Sequence, residues 1–188
     1  MKRSTKTRSK SAADSAALTD AKFALGSAPD AEFTSETHWQ AEDLRVRLAA
    51  SNAAKQFGFE LTLAEPGRVV LRMPVDERHL QVHLVVHGGV LAALADTAGG
   101  LATYMAYPRG VRVATVEMKI NYLEAIEDGS VEAEARVVRR GKHIAVVDCD
   151  IRDHNSRLVG KSLMTFFVSP LAGDRNKPQK KKAPRRRA

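Results

Sequence analysis

One run of residues restricts this chain more than any other: HGGVLAALADTAGG, from His87 to Gly100. Two glycines precede an apolar stretch, as at the start of a helix. Backbone N–H groups are unpaired there, and partial positive charge collects. Such a terminus binds anions and suits a developing oxyanion. Asp96 then stands alone as a carboxylate in an otherwise uncharged helix. A buried acid is costly unless it is paired or used.

A 100° step per residue sorts this helix into two faces. Leu91, Leu94, Ala95, Ala98, Leu101 and Ala102 cluster as the side that meets a sheet. Ala92, Ala93, Asp96, Thr97, Gly100 and Tyr104 form the other side. That side is small and weakly polar, unlike a charged solvent face. Small residues let another backbone approach, most simply the same helix of a second copy across a two-fold axis. Distance points the same way. Gly88 and Asp96 are about 12 Å apart along one helix at 1.5 Å per residue. A reacting group must lie about 3 Å from the atom it serves. A catalytic site that uses both is therefore shared between two antiparallel helices.

Around this helix the chain is expected to be mostly β. Residues 37–56 read as an amphipathic helix with Leu44, Leu48 and Ser51 on one face. Residues 59–63 and 69–75 form a hairpin around Glu65-Pro66-Gly67. The long helix runs from Gly88 to about Tyr107. Four strands follow, at 111–123, 129–139, 143–153 and 158–168, each break read as a hairpin turn. One long helix packed on an antiparallel sheet makes this an α+β chain.

The formal net charge of +8 sits in the tails. Residues 1–14 carry five Lys/Arg against one Asp, and residues 171–188 carry eight against one. The segment between them is net acidic. Three regions follow: a disordered extension at 1–36, a folded domain at 37–170, and a disordered basic tail at 171–188. The C-terminal basic run invites contact with nucleic acid or an anionic membrane. No aromatic residues interleave with it as base stacking favours, so a solubilising end is preferred. No apolar run approaches the roughly 20 residues of a membrane span. A single cysteine, Cys149, fits a reducing, cytoplasmic location. The Ser-rich basic N-terminus also has transit-peptide character, which makes the mitochondrial matrix the alternative.

The spacing HGG-x6-AD, followed by Thr115-Val-Glu-Met-x-Ile-Asn-Tyr-Leu123 and by Val137-Val-Arg-x-Gly-Lys142, resembles the PaaI-like acyl-CoA thioesterases. The likeness covers about residues 40–168. It implies a hotdog fold, a sheet wrapped around one long helix, assembled as a homodimer and a dimer of dimers. It also implies acyl-CoA as substrate and no metal or redox cofactor. By position, Asp96 matches the acid that attacks the thioester or activates water. Gly88 matches the backbone donor to the thioester oxygen, and His87 shapes that turn. Thr115 matches a hydroxyl that orients the acid or the water. Gly89, Arg139, Gly141 and Lys142 match positions near the coenzyme A moiety. Two positions depart from the pattern. Gln81 and Leu84 stand where the family usually has Asn and Gly. Gln81 retains a side-chain amide for the carbonyl, while loss of Gly is expected to alter the loop.

Other features take plainer readings. His79, His83 and His87 are spaced four apart, but β-leaning residues separate them and no acid or Cys completes a metal set. Asp148 and Asp150 flank Cys149 and disfavour its thiolate. Trp39 and Phe57 read as core. The hydratase branch of the hotdog fold carries Asp-x4-His at the helix start, which this stretch lacks. The rival reading is a non-catalytic acyl-CoA-binding module whose basic tail contacts nucleic acid or membrane.

Overall fold

The computed structural model describes residues 34–171. The basic runs at both ends, and the contacts expected of them, lie outside these residues. In chain order the elements are α1 (Ala41–Ala50), α2 (Asn52–Phe57), β1 (Glu60–Glu65), β2 (Arg68–Pro74), a short 3-10 turn (Glu77–His79), α3 (Gly88–Ala106), β3 (Val111–Tyr122), β4 (Ser130–Arg140), β5 (Ile144–Asp153) and β6 (Leu158–Pro170). All neighbouring strands are antiparallel, in the order β1-β2-β4-β5-β6-β3. The sheet packs on α3 through all six strands, most extensively through β4. This is the hotdog arrangement expected from the sequence.

Alternation builds the core. Val69, Leu71 and Met73 of β2, Val131, Ala133 and Ala135 of β4, and Val147, Cys149 and Ile151 of β5 are all fully buried. Every second side chain thus faces α3, as a pleated strand requires. The six helix residues assigned to the sheet face are buried as expected. Leu94 is fully enclosed, so truncating it to Ala would cost about 2–5 kcal/mol.

Two expectations are corrected. The break at residues 127–129 is not a hairpin. β3 pairs with β6 at one edge of the sheet, whereas β4 lies between β2 and β5. Residues 123–129 therefore carry the chain across the sheet, because the long helix had left the open edge of β2 without a partner. The single helix at 37–56 is two. Ser51 adopts extended backbone at φ −78°, ψ 119°, and its hydroxyl accepts the Ala54 N–H at 3.2 Å, ending α1 and capping α2. Tyr104 shares the groove face of α3 with Asp96, Thr97 and Gly100, as expected. It is buried beneath α1, edge-on to Trp39 with centroids 5.1 Å apart. Trp39 is half-buried against the core and Phe57 stacks on Phe59, so both aromatics are structural.

β3 contains a device that alternation hides. Thr115 pairs with Phe166 and Glu117 with Thr165, leaving Val116 as an extra, bulged residue. Before the bulge Val113 and Thr115 face α3. After it Met118 and Ile120 pack on the core. One inserted residue reverses the strand's parity. Both sets face inward, which strict alternation forbids.

Candidate active site

The start of α3 spends its amides unequally. His87 is the N-cap, with φ −63° and ψ 130°. Its Nδ1 accepts the Gly89 N–H at 2.9 Å, and its carbonyl accepts from Val90 at 2.9 Å and Leu91 at 3.4 Å. Among the described residues the Gly88 N–H has no acceptor. The expectation that both glycine amides are open is therefore corrected: only that of Gly88 is. Since Nδ1 is an acceptor, the proton of the neutral His87 ring sits on Nε2. His87 thus works here as a cap on backbone.

Tyr122 explains why residue 88 is glycine. Its hydroxyl donates to the Gly88 carbonyl at 2.9 Å. A Cβ on Gly88 would lie 3.0 Å from Tyr122 Cζ and 3.3 Å from both Cε atoms. The peptide between Gly88 and Gly89 is thereby held at both ends, by Tyr122 at its C=O and by His87 at its N–H. Sequence reasoning placed Tyr122 only within a strand motif.

The loop ahead of the helix keeps its turn without glycine. Leu84 sits in the left-handed region at φ 59°, its N–H donates to the Gln81 carbonyl at 2.8 Å, and its side chain is 71% exposed. Leucine adopts the conformation glycine would, at a local cost of about 1–2 kcal/mol. Gln81 is half-buried, and its N–H donates to Val85 O at 2.9 Å. It lies beside the helix start and not in the groove that holds Asp96. The three histidines do not share a helix. His79 ends the 3-10 turn, His83 is in the loop and His87 caps α3.

Asp96 and Thr115 do meet. Thr115 Oγ1 donates to Asp96 Oδ1 at 2.7 Å, across from β3 to α3. They line a groove of about 480 Å³ between α1, α3 and β3, with Gly100, Tyr104, Val113 and Phe166 among its walls. The adjacent Thr97 hydroxyl is spent on the Ala93 carbonyl at 2.7 Å. The pair is thus one charged acceptor oriented by one hydroxyl. That arrangement serves to hold, deprotonate or attack at a reacting centre.

The β4–β5 tip carries the other candidates. Arg139 and Lys142 are exposed. Gly141 is required by close approach, since a Cβ there would lie 2.7 Å from the Ile144 carbonyl. Tyr107, at the end of α3, donates to Gly141 O at 2.6 Å and carries the Arg140 guanidinium 4.8 Å above its ring. A second bulge, at Val138, turns Arg140 inward and Arg139 outward. Cys149 is buried on β5, and burial, then Asp148 and Asp150, push its thiol up to about 12, so it is no nucleophile.

Comparison with known proteins decides the family. The thioesterase superfamily profile matches residues 83–168, which run from the loop ahead of α3 to the end of β6. The proofreading thioesterase EntH of Klebsiella pneumoniae is 30% identical over 125 residues, covering 63% of this chain and 89% of that protein. The chain belongs to the thioesterase superfamily. A thioesterase structure from Haemophilus influenzae superposes on this superfamily member with a TM-score of 0.67 and 31% identity. The match covers 73% of this chain and 95% of that one. The Escherichia coli PaaI protein, 24% identical, shares the fold with a TM-score of 0.63, covering 67% and 90%. The superfamily is one of hydrolases, and α3, with Asp96 at its middle, lies inside the matched segment.

Proposed function

We propose that this chain hydrolyses acyl-CoA thioesters to a free carboxylic acid and coenzyme A, at sites completed by two copies. The observation that carries the reading is the Asp96–Thr115 pair on an open groove, with the unspent Gly88 N–H a half-helix away. The name and similarity of EntH support thioester chemistry.

In the proposed reaction Asp96 takes a proton from water as the water adds to the thioester carbonyl. Thr115 holds the carboxylate in place. The Gly88 N–H of the second copy, backed by the helix terminus, receives the oxyanion. Collapse breaks the C–S bond, and the proton held by Asp96 passes to the leaving sulfur, giving coenzyme A and restoring the carboxylate. Arg139 and Lys142 at the β4–β5 tip supply cations for its phosphates, and Gly141 holds that tip. The half-exposed small residues Ala92, Ala93, Thr97 and Gly100 and the unpaired edge of β3 supply the surface for the second copy.

Asp96→Asn should lower release of free thiol from acyl-CoA by more than about 100-fold. Sharing is tested by complementation. Gly88→Pro removes the donor at a first-turn position that suits proline, with the half-exposed Tyr122 ring having to yield to its side chain. Co-assembled Asp96→Asn and Gly88→Pro chains should recover activity, because one of their two sites is intact. No recovery in a confirmed mixed dimer places the site within one chain.

A further inference from the structure

The groove that holds Asp96 ends in a wall of hydrogen-bond donors. Arg47 of α1 lies there, its Cζ 4.1 Å from the Tyr104 ring centroid and 5.8 Å from that of Trp39. Its Nη2 donates to the Tyr104 hydroxyl at 2.6 Å. No carboxylate is within ion-pair distance of it among the described residues, whereas nearby Arg45 pairs with Glu42, and Arg109 with Asp43. Arg47 is therefore a cation held by an aromatic alcohol instead of an acid.

The Tyr104 hydroxyl oxygen accepts a second time, from the Val113 N–H at 3.3 Å. With both acceptor positions used, its own proton is left to donate, and no acceptor for it lies among the described residues. Ser51, on the same wall, accepts from Ala54 and likewise keeps its proton. Four guanidinium N–H groups of the exposed Arg47 and two hydroxyl protons at this end of the groove thus have no protein acceptor among the described residues. Leu48, Leu101, Val113 and Phe166 line the stretch toward Asp96. The volume, about 480 Å³, suits a small ligand.

We infer that this wall receives a carboxylate at the far end of the acyl group, so that the substrates are short ω-carboxyacyl-CoA thioesters. The inference rests on the hydrolase reading above and names its substrate class. Arg47 is the specificity-determining residue, and the Tyr104 hydroxyl both fixes the guanidinium and donates to the same anion. The acid at one end of the groove and the cation at the other set the direction in which the acyl chain lies.

The test compares adipyl-CoA with hexanoyl-CoA, which share a six-carbon acyl chain and differ in the terminal carboxylate. In the wild-type dimer kcat/KM should favour adipyl-CoA by roughly 10- to 100-fold, the worth of charge-assisted hydrogen bonds. Arg47→Met should collapse that ratio toward one, chiefly through KM. Arg47→Lys should restore it in part, and Tyr104→Phe should lower it. A wild-type preference for hexanoyl-CoA, or a ratio unmoved by Arg47→Met, overturns the inference. Thioether analogues of the two substrates, titrated by calorimetry, separate it from the hydrolase reading. Arg47-dependent tighter binding of the carboxylated analogue, by a protein that hydrolyses neither thioester, would keep the carboxylate site and discard hydrolysis. Equal binding of both analogues overturns the site whatever the turnover.

Discussion

Thr115 on β3 donates its hydroxyl proton to Asp96 on α3 at 2.7 Å, joining two residues that are 19 positions apart. One carboxylate oxygen is thereby engaged and the other is left for water or substrate. Thr115→Val keeps the shape and removes the donor. Steady-state assays should show kcat falling by about tenfold or more, the value of one hydrogen bond to a charged group, with KM little changed. Thr115→Ser should retain most of the rate. A Val variant with wild-type kcat would remove Thr115 from the site.

The Gly88 peptide makes a second prediction. Tyr122→Phe loses the bond to the Gly88 carbonyl and should destabilise the fold by about 0.5–1.5 kcal/mol. Gly88→Ala pushes against the Tyr122 ring, which is half exposed and can yield. Both variants should lower kcat more than they lower the melting temperature, because they displace an amide without opening the core. Calorimetry and initial rates on the same preparations check this. Equal proportional loss in both would mean that Tyr122 is structural only.

Leu84 offers a stabilising change. Glycine there should relieve the left-handed strain, offset in part by greater freedom of the unfolded chain, for a net gain of about 0.5–1 kcal/mol. The exposed leucine side chain gives up almost no burial. Thermal melts should move upward by about 1–4 °C for a domain of this size. An unchanged or lower midpoint would show that Leu84 makes contacts beyond its own chain, at an interface between copies.

Acid should loosen the corner that walls the groove. The Gln40 N–H and, against the cost of desolvation, Arg109 hold the Asp43 carboxyl below the usual carboxylate range. A depressed folded value means that the stabilisation is present above the ordinary carboxylate pKa. It is lost as pH falls through the folded value. Trp39 is the only tryptophan in the chain and lies 5.5 Å from the Arg109 guanidinium. Its fluorescence should be steady at neutral pH and change only below the ordinary carboxylate range, at about pH 4 and lower. Asp43→Asn should flatten that transition. A wild-type change centred near neutrality would assign the transition to another group.

Much of the fold was legible because it is written in local periods. The 3.6-residue rhythm of α3, its glycine start and the two-residue alternation of β4 and β5 depend only on neighbours along the chain. The sheet face of the helix followed from the same patterns. Asp96 was conspicuous because an isolated charge in an apolar helix needs a reason.

Local order along the chain is enough to set the helix, its faces, the acid at its middle and the too-great separation of Asp96 from its own Gly88. Which residues meet is settled only in the closed fold. β3 went to the sheet edge beside β6, a bulge at Val116 aimed Thr115 at Asp96, Tyr122 came under Gly88, and Tyr104 turned beneath α1 to hold Arg47. The hydrogen bonds among these contacts join residues 9 to 57 positions apart. Local periodicity carries no record of such distances. They are chosen when the whole sheet closes on the helix, and a one-residue bulge is enough to change which side chains arrive.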